Sequence, residues 1–212
     1  MGSFSALYEE LVRKFPDSKP RGDAFEEICQ HYLRTHPAYQ KELKTVWLWD
    51  EWPDRWGPDT GIDLVAETHD GDRWAIQAKC YNPNYPVTRD DMDRFLTESI
   101  HEDIDHRLLI ATTNTVGANA RRAIRNQNTV IPVSQLLLHD LETAPINWPS
   151  DPASLRGGGV RKPVKRWPHQ TQAIKNVTNN LGKRGQMISA CGTGKTLSAL
   201  WISERLEAKR TL

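Results

Sequence analysis

The chain has 212 residues, of which 38% are hydrophobic and 26% charged, the composition of an ordinary folded protein. No run approaches the roughly 18 apolar residues of a membrane span, and the N-terminus lacks the basic stretch and apolar core of a signal peptide. These features exclude a disordered chain and an integral membrane protein, and we expect a cytoplasmic protein with no membrane partner. Cys29, Cys80 and Cys191 are widely spaced and form no CxxC pair, so we expect reduced thiols and no zinc site.

Charge is divided unevenly along the chain. Residues 1–151 contain 25 Asp and Glu against 16 Lys and Arg, whereas residues 152–212 contain 2 against 12. The asymmetry favours a polyanionic partner near the second part, and the carboxylates of the first part are compatible with metal binding. Solvated surface charge is the alternative interpretation.

Proline and glycine mark the division between domains. They cluster over residues 143–166 and interrupt every apolar period there. We therefore predict a domain at 1–142, a Pro/Gly-rich linker at 143–166, and a second segment at 167–212.

The first half of the first domain reads as one helix and three strands. Apolar residues at 25, 28, 29, 32 and 33 share one helical face, and His36-Pro37 ends that helix. Strand-like runs follow at 45–49, 62–68 and 74–80, the last two joined by an Asp70-Gly71 hairpin turn.

Helices and strands alternate in the second half. Thr88 and Asp91 are spaced to cap a helix whose apolar face is Met92, Phe95, Leu96 and Ile100. A buried strand at 108–112, a helix at 117–125, a strand at 130–133 and a helix at 136–141 follow. The order αβββαβαβα predicts an α/β fold in which helices flank a mixed sheet.

Three polar residues on the predicted hairpin around Asp70-Gly71 are the candidate catalytic residues. Asp63 opens one strand, and Gln77 and Lys79 lie two residues apart on the next, so both point to the same face while Ala78 points away. Metal-assisted phosphodiester hydrolysis needs oxygen ligands and a group that orients the attacking water. The spacing predicts that these side chains converge on one metal and one phosphate.

The same residues resemble the Mrr-type branch of the PD-(D/E)xK nucleases. The likeness comprises Gly61-Ile62-Asp63-Leu64-Val65, Gln77-Ala78-Lys79, Phe25-Glu26 and a strand ending Ala111-Thr112-Thr113. It implies a restriction-endonuclease-like fold and a Mg²⁺ (or Mn²⁺)-dependent endonuclease that acts on double-stranded DNA. Transient pairing of two such domains would serve double-strand cleavage.

The resemblance also implies roles for single residues. Asp63, Gln77 and the carbonyl of Ala78 would hold the metal, and Lys79 would position the water. Glu26 is either a further ligand or half of a capping box with Asp23. Because Pro58-Asp59 spells the family's dipeptide, Asp59 remains a second-shell candidate, although it lies in a loop.

Eight tryptophans include Trp47, Trp49, Trp52 and Trp56. Such a density suits base stacking. Core and edge packing is the alternative that we favour.

The second segment contains a phosphate loop, resembling that of superfamily 2 helicases. Residues 186–190 form a predicted strand, and the loop that follows is Cys191-Gly192-Thr193-Gly194-Lys195-Thr196. Its backbone would cradle the phosphates of ATP, with Lys195 on the β and γ phosphates and Thr196 on Mg²⁺. Ser189 stands where the strict pattern has glycine.

Upstream, Arg166-Trp167-Pro168-His169-Gln170 resembles the adenine-reading Q motif of the same helicases, with Gln170 as the reader. Helix capping is the alternative.

Together the two parts resemble type ISP restriction-modification enzymes, in which a nuclease precedes a RecA-like motor. We expect a metal-dependent DNA endonuclease domain of an ATP-driven restriction enzyme. ATP turnover is not expected from these 212 residues, because no Walker B pair follows Thr196. A non-cleaving DNA-binding or regulatory module attached to a DNA-dependent ATPase is the alternative, and a plain ATPase is a third.

Overall fold

The computed structural model of the chain describes residues 2–57, 61–127, 130–157, 168–179, 198–199 and 201–203. The chain divides into two compact units, Met1–Pro163 and Val164–Leu212. The helices are α1 (Phe4–Lys14), α2 (Ser18–Thr35), α3 (Pro37–Glu42), α4 (Arg89–Glu98), α5 (Ala118–Gln127), α6 (Leu138–Thr143) and α7 (Pro168–Asn179). The strands are β1 (Leu43–Leu48), β2 (Leu64–Thr68), β3 (Arg73–Lys79), β4 (His106–Ala111) and β5 (Val133–Leu136).

The five strands form one mixed sheet in the order β1-β2-β3-β4-β5. β2 is antiparallel to both β1 and β3, whereas β4 runs parallel to β3 and β5 parallel to β4. The predicted fold class, a mixed α/β sheet flanked by helices, is confirmed.

Apolar side chains alternate along the strands, so the sheet has two cores. Leu64, Ile76 and Leu108 face a core that also contains buried side chains of α1, α2 and α6. Val65, Ala75 and Leu109 point the opposite way, into a core with α4 and α5. We refer to these as the α2 face and the α4 face.

The first predicted helix is confirmed and is longer than expected. Its apolar stripe, from Phe25 to Leu33, is buried, and α2 ends before His36. However, α2 begins at Ser18 with Asp17 as its N-cap, so Asp23 lies inside the helix. The alternative in which Asp23 and Glu26 form a capping box is therefore wrong, because the first turn of the helix lies earlier in the chain.

The later elements differ from prediction only in their bounds. Thr88 and Asp91 form the predicted capping box of α4. Ile100 lies beyond the end of α4 and is 52% exposed, so it does not belong to the packed face. β5 begins at Val133, where the prediction ended, because its pairing with β4 runs from Arg107–Val133 to Ile110–Leu136.

The predicted linker at 143–166 packs against the first unit over its first part. Ile146 and Trp148 are buried in the core on the α2 face. The Trp148 ring stacks on Tyr32 with centroids 5.7 Å apart, and its Nε1 donates to the carbonyl of Leu141 at 3.2 Å. Proline in this segment interrupts secondary structure without preventing burial.

The second unit is described chiefly through α7, which carries Gln170 and Ile174 on one face, both buried. The predicted phosphate loop, from Gly192 to Thr196, and Trp167 lie outside the described residues. None of the helices in the described ranges combines the length and apolar character required to cross a membrane.

Candidate active site

The β2–β3 hairpin places Asp63 opposite Gln77. A turn at Gly71, whose φ of 98° suits glycine, joins the strands, and the register pairs Leu64 with Ile76. One residue before Leu64, the N–H of Asp63 donates to the carbonyl of Ile76 at 2.9 Å. Asp63 is thus held at the mouth of the hairpin by the same ladder that forms the sheet.

Two donors of β3 orient the Asp63 carboxylate. Its Oδ2 accepts a hydrogen bond from Nε2 of Gln77 and another, at 2.7 Å, from the N–H of Ala78. Gln77 is only 3% exposed, so bulk water cannot replace Asp63 as the hydrogen-bond partner of its amide. The structure therefore brings Asp63, Gln77 and Ala78 together.

Lys79 shares a sheet face with Gln77, as the two-residue period requires. Between them Ala78 packs on the α2 face, whereas Ala75 packs on the α4 face. The carbonyl of Lys79 accepts the N–H of Thr112 at 3.1 Å, which ties the end of β3 to β4. Its ammonium is near enough to lower the pKa of both Glu26 and Asp91.

Glu26 reaches the same place from α2. Burial raises the pKa of this carboxyl to about 8, and the negative charges of Asp63 and Asp23 add to the shift. Lys79 acts in the opposite direction. Glu26 therefore interacts electrostatically with both Asp63 and Lys79, and we refer to these three residues as the cluster.

Tyr81 and Asp91 also border the cluster, and the sequence interpretation did not assign them to it. The Tyr81 hydroxyl donates to Oδ1 of Asp91, whose Oδ2 accepts the N–H of Thr88 at 2.7 Å. Burial is the largest influence on Asp91 and raises its pKa, but the hydrogen bonds from Tyr81 and Thr88 bring that pKa below its ordinary value. The two-residue period of the strand could have identified Tyr81, because it continues the alternation of Gln77 and Lys79.

The donor set fits a hard cation that takes mixed oxygen ligands. The described residues contain no group of three or more His, Cys, Asp or Glu able to hold a metal. The available oxygens are two carboxylates, from Glu26 and Asp63, the amide oxygen of Gln77 and the backbone oxygen of Ala78. In an extended strand the N–H and C=O of one residue point to the same side, so the carbonyl of Ala78 faces the Asp63 side of β3.

Gln77 presents its nitrogen to Asp63 in the structure. Half a turn about its terminal torsion exchanges nitrogen for oxygen, and this torsion has a broad, two-fold profile. The amide can therefore donate to Asp63 in the absence of a cation and turn its oxygen towards a cation when one is bound.

The tryptophans pack as we favoured. Trp49 and Trp52 are buried on the α4 face, and Trp47 and Trp56 pack against the same core. Trp56 stacks on His101 with centroids 3.8 Å apart. Base stacking by Trp49 or Trp52 is excluded by their burial. Asp59 lies outside the described residues.

Comparison with solved structures finds a likeness in fold to a restriction enzyme. It is the "ATP-dependent Type ISP restriction-modification enzyme LlaBIII bound to DNA". The two chains share 30% sequence identity with a TM-score of 0.68, and the match covers 97% of this chain and 13% of LlaBIII. The chain therefore spans only a small part of the length of LlaBIII.

Two other structures match at lower similarity. They are the "DNA modification-dependent restriction endonuclease AspBHI" (TM-score 0.45, 20% identity, 72% of this chain and 37% of that one) and the "MspJI Restriction Endonuclease in Complex with 27-mer Oligonucleotide" (0.43, 19%, 67% and 31%).

No curated protein matches the chain significantly. The family model Mrr_cat_2, described as a restriction endonuclease, matches residues 34–154. That range contains Asp63, Gln77 and Lys79, and it is more than half of the chain. The chain belongs to this restriction endonuclease family.

Proposed function

We propose that the first unit is a metal-dependent DNA endonuclease that hydrolyses phosphodiester bonds of double-stranded DNA. The observation that carries the proposal is the hydrogen bond from Gln77 to Asp63 across one hairpin, with Lys79 two residues further along the strand that carries Gln77. Membership of a restriction endonuclease family and the likeness to LlaBIII, a DNA-bound enzyme, support the same reaction class.

Four oxygens of the chain would hold Mg²⁺ or Mn²⁺. They belong to Asp63, Gln77, Glu26 and the backbone of Ala78. When bound, the cation would supply Lewis-acid polarisation of the scissile phosphate and lower the pKa of a water. Asp63 is already oriented for this role by the N–H of Ala78.

Lys79 would act on the reacting atoms themselves. Its ammonium projects from the same face as Gln77, where it can donate a hydrogen bond to the attacking water and stabilise negative charge that develops on the phosphate. Asp91 attracts this ammonium from α4, and Tyr81 holds Asp91 in turn. The pair of Tyr81 and Asp91 would thus help to hold the lysine ammonium at this edge of the sheet.

Coupling to ATP forms the second part of the proposal. The phosphate loop at Gly192, Thr193, Gly194, Lys195 and Thr196, with Gln170 reading adenine, would bind ATP in a motor that translocates DNA. The type ISP description of LlaBIII supports such an arrangement. Two nuclease units that pair transiently would cut both strands of the duplex. We expect this reaction to take place in the cytoplasm.

The rival is a DNA-binding or regulatory module that does not cleave. Incubating supercoiled plasmid with the chain and Mg²⁺ or Mn²⁺ separates the two, with Lys79→Ala as the inactive variant. We expect nicked and linear products from the wild type and none from Lys79→Ala. Absence of cleavage by the wild type, also when it is part of the motor-containing enzyme, would favour the rival.

A further inference from the structure

Helix α5 carries a basic surface in an otherwise acidic unit. Arg121, Arg122 and Arg125 are exposed, and the helix contains no acidic residue. Residues 1–151 as a whole contain 25 acidic against 16 basic side chains. Three positive charges on one ten-residue helix therefore make a local concentration of the opposite sign.

Packing determines which way these arginines point. Ala120 and Ile124, four residues apart, are buried in the core on the α4 face. Arg121 and Arg125 have the same spacing, one position further along, and Arg122 lies between them, so the three share the solvent side of the helix. A folded core thus fixes the surface, and its orientation does not depend on a loop.

Among the described residues, no carboxylate is paired with these arginines. In the part of the chain that the structure describes, no ion pair involves any of the three, and Arg122 contacts only the amide oxygen of Asn119, at 3.3 Å. By contrast Arg13, Lys14 and Lys44 are each paired with a carboxylate. Binding an external anion at α5 therefore breaks no internal ion pair.

The neighbouring helix differs in charge. α4 exposes Asp90, Asp93 and Glu98 beside its arginines, and Arg89 is paired with Asp93. α4 therefore does not extend the basic surface of α5.

Topology places the start of α5 at the edge that holds the candidate active site. β3 and β4 are parallel, with Lys79 paired to Ala111, so both strands end at the same edge of the sheet. From there the chain passes through Val116, which bridges Val87, and the N–H of Gly117 donates to the carbonyl of Val87 at 2.9 Å before α5 begins. At about 1.5 Å per residue, the three arginines lie within about 10 Å of the start of the helix.

We propose that Arg121, Arg122 and Arg125 form a docking surface for the phosphate backbone of duplex DNA, adjacent to the bond that is cut. This inference rests on the proposed nuclease function and adds the surface that holds the substrate. Guanidinium groups match phosphate geometry, and contacts to phosphates position a duplex without reading its sequence. The surface would therefore contribute to affinity and orientation and not to the choice of site.

The test compares two triple variants of the full chain with equal loss of charge. One is Arg121→Gln/Arg122→Gln/Arg125→Gln, since glutamine keeps length and helix propensity. The matched control is Arg13→Gln/Lys14→Gln/Lys44→Gln, which neutralises side chains already paired within the protein. Binding to labelled duplexes of two unrelated sequences is measured without divalent metal over a range of salt, and circular dichroism verifies the fold.

We expect the α5 variant to bind both duplexes at least about tenfold more weakly, with the slope of log affinity against log salt reduced by about two to three. Its cleavage should show raised KM with kcat nearly unchanged, and the control should resemble the wild type. Wild-type salt dependence in the α5 variant, while the wild type binds and cleaves DNA, overturns the surface and leaves the nuclease proposal standing. A wild type that neither binds nor cleaves DNA contradicts both.

Discussion

Asp63 and Gln77 face each other across the β2–β3 hairpin, and the Gln77 amide donates a hydrogen bond to the Asp63 carboxylate. A glutamine here donates a hydrogen bond to Asp63 when no cation is present, which an ionised glutamate could not do. Compared with a glutamate, the neutral Gln77 should bind a cation more weakly and should make the metal-free fold more stable.

Gln77→Glu should reverse that balance. We expect the free energy of unfolding without metal to fall by about 1–3 kcal/mol, because two carboxylates replace a donor–acceptor pair. Mg²⁺ should then bind about tenfold more tightly, since the site gains a charge. Calorimetric unfolding with and without Mg²⁺ measures both effects. Gln135→Glu, at an exposed position of β5, is the charge-matched control. Equal Mg²⁺ stabilisation of the two variants would contradict the site.

Glu26 should make the stability of the metal-free protein depend on pH. Its pKa rises from an ordinary 4.5 to about 8 on folding. The unfolded chain therefore releases this proton first as the pH rises, so the contribution of Glu26 to stability is complete below about pH 4.5 and is lost progressively up to about pH 8. Glu26→Gln removes that dependence.

Urea unfolding of the wild type and of Glu26→Gln at several values between pH 5 and pH 8 should show the variant gaining relative stability as the pH rises. The same change at Glu27 controls for the loss of one charge from α2. A difference between wild type and Glu26→Gln that stays constant over this interval would show that Glu26 is solvated and does not belong to the cluster.

Gly61 should matter for activity beyond its cost in stability. It lies two residues before Asp63 and has a φ of +70°. A Cβ at this position would lie 3.0 Å from Cγ of Arg94. Gly71 is also left-handed, with φ of +98°, but has open space and lies at the opposite end of the hairpin. Both Gly→Ala changes should cost about 1–2 kcal/mol from backbone strain. Only Gly61→Ala should slow cleavage, by more than about tenfold, since it displaces Asp63. Equal cleavage rates for the two variants would contradict this.

Arg107 is fully buried on β4 and connects three segments. It donates to Oγ of Ser99 at 2.6 Å and to the carbonyls of Leu96 at 3.0 Å and Ile131 at 3.4 Å. A lysine cannot span these acceptors, so Arg107→Lys should lower the free energy of unfolding by about 2–4 kcal/mol. Arg13→Lys, on the surface, should change it by less than about 0.5 kcal/mol. A similarly small effect at Arg107 would show that the three acceptors are satisfied without the guanidinium.

Period and turn chemistry were sufficient for most of the sheet. Alternation around Asp70-Gly71 predicted the hairpin and the common face of Gln77 and Lys79, because a pleated strand allows no other arrangement once one face is buried. The capping box of Thr88 and Asp91 is equally local, and the structure contains it.

Features that depend on tertiary contact were left open or were not predicted. The local pattern allowed Glu26 either to cap a helix with Asp23 or to reach the candidate site, and the start of α2 at Ser18 excludes the cap. Trp148 follows a proline-rich stretch and still packs on Tyr32. Tyr81 and Asp91 meet across segments ten residues apart, a contact that no short motif indicates.

The central claim is that Asp63, and not the neighbouring Asp59, is essential for DNA cleavage. Single-turnover cleavage by Asp63→Asn and Asp59→Asn at ordinary Mg²⁺ tests it most directly, since asparagine still accepts the N–H of Ala78. The account predicts that Asp63→Asn loses cleavage while keeping the wild-type unfolding transition, and that Asp59→Asn retains most of the wild-type rate. Cleavage that survives in Asp63→Asn and disappears in Asp59→Asn would contradict it.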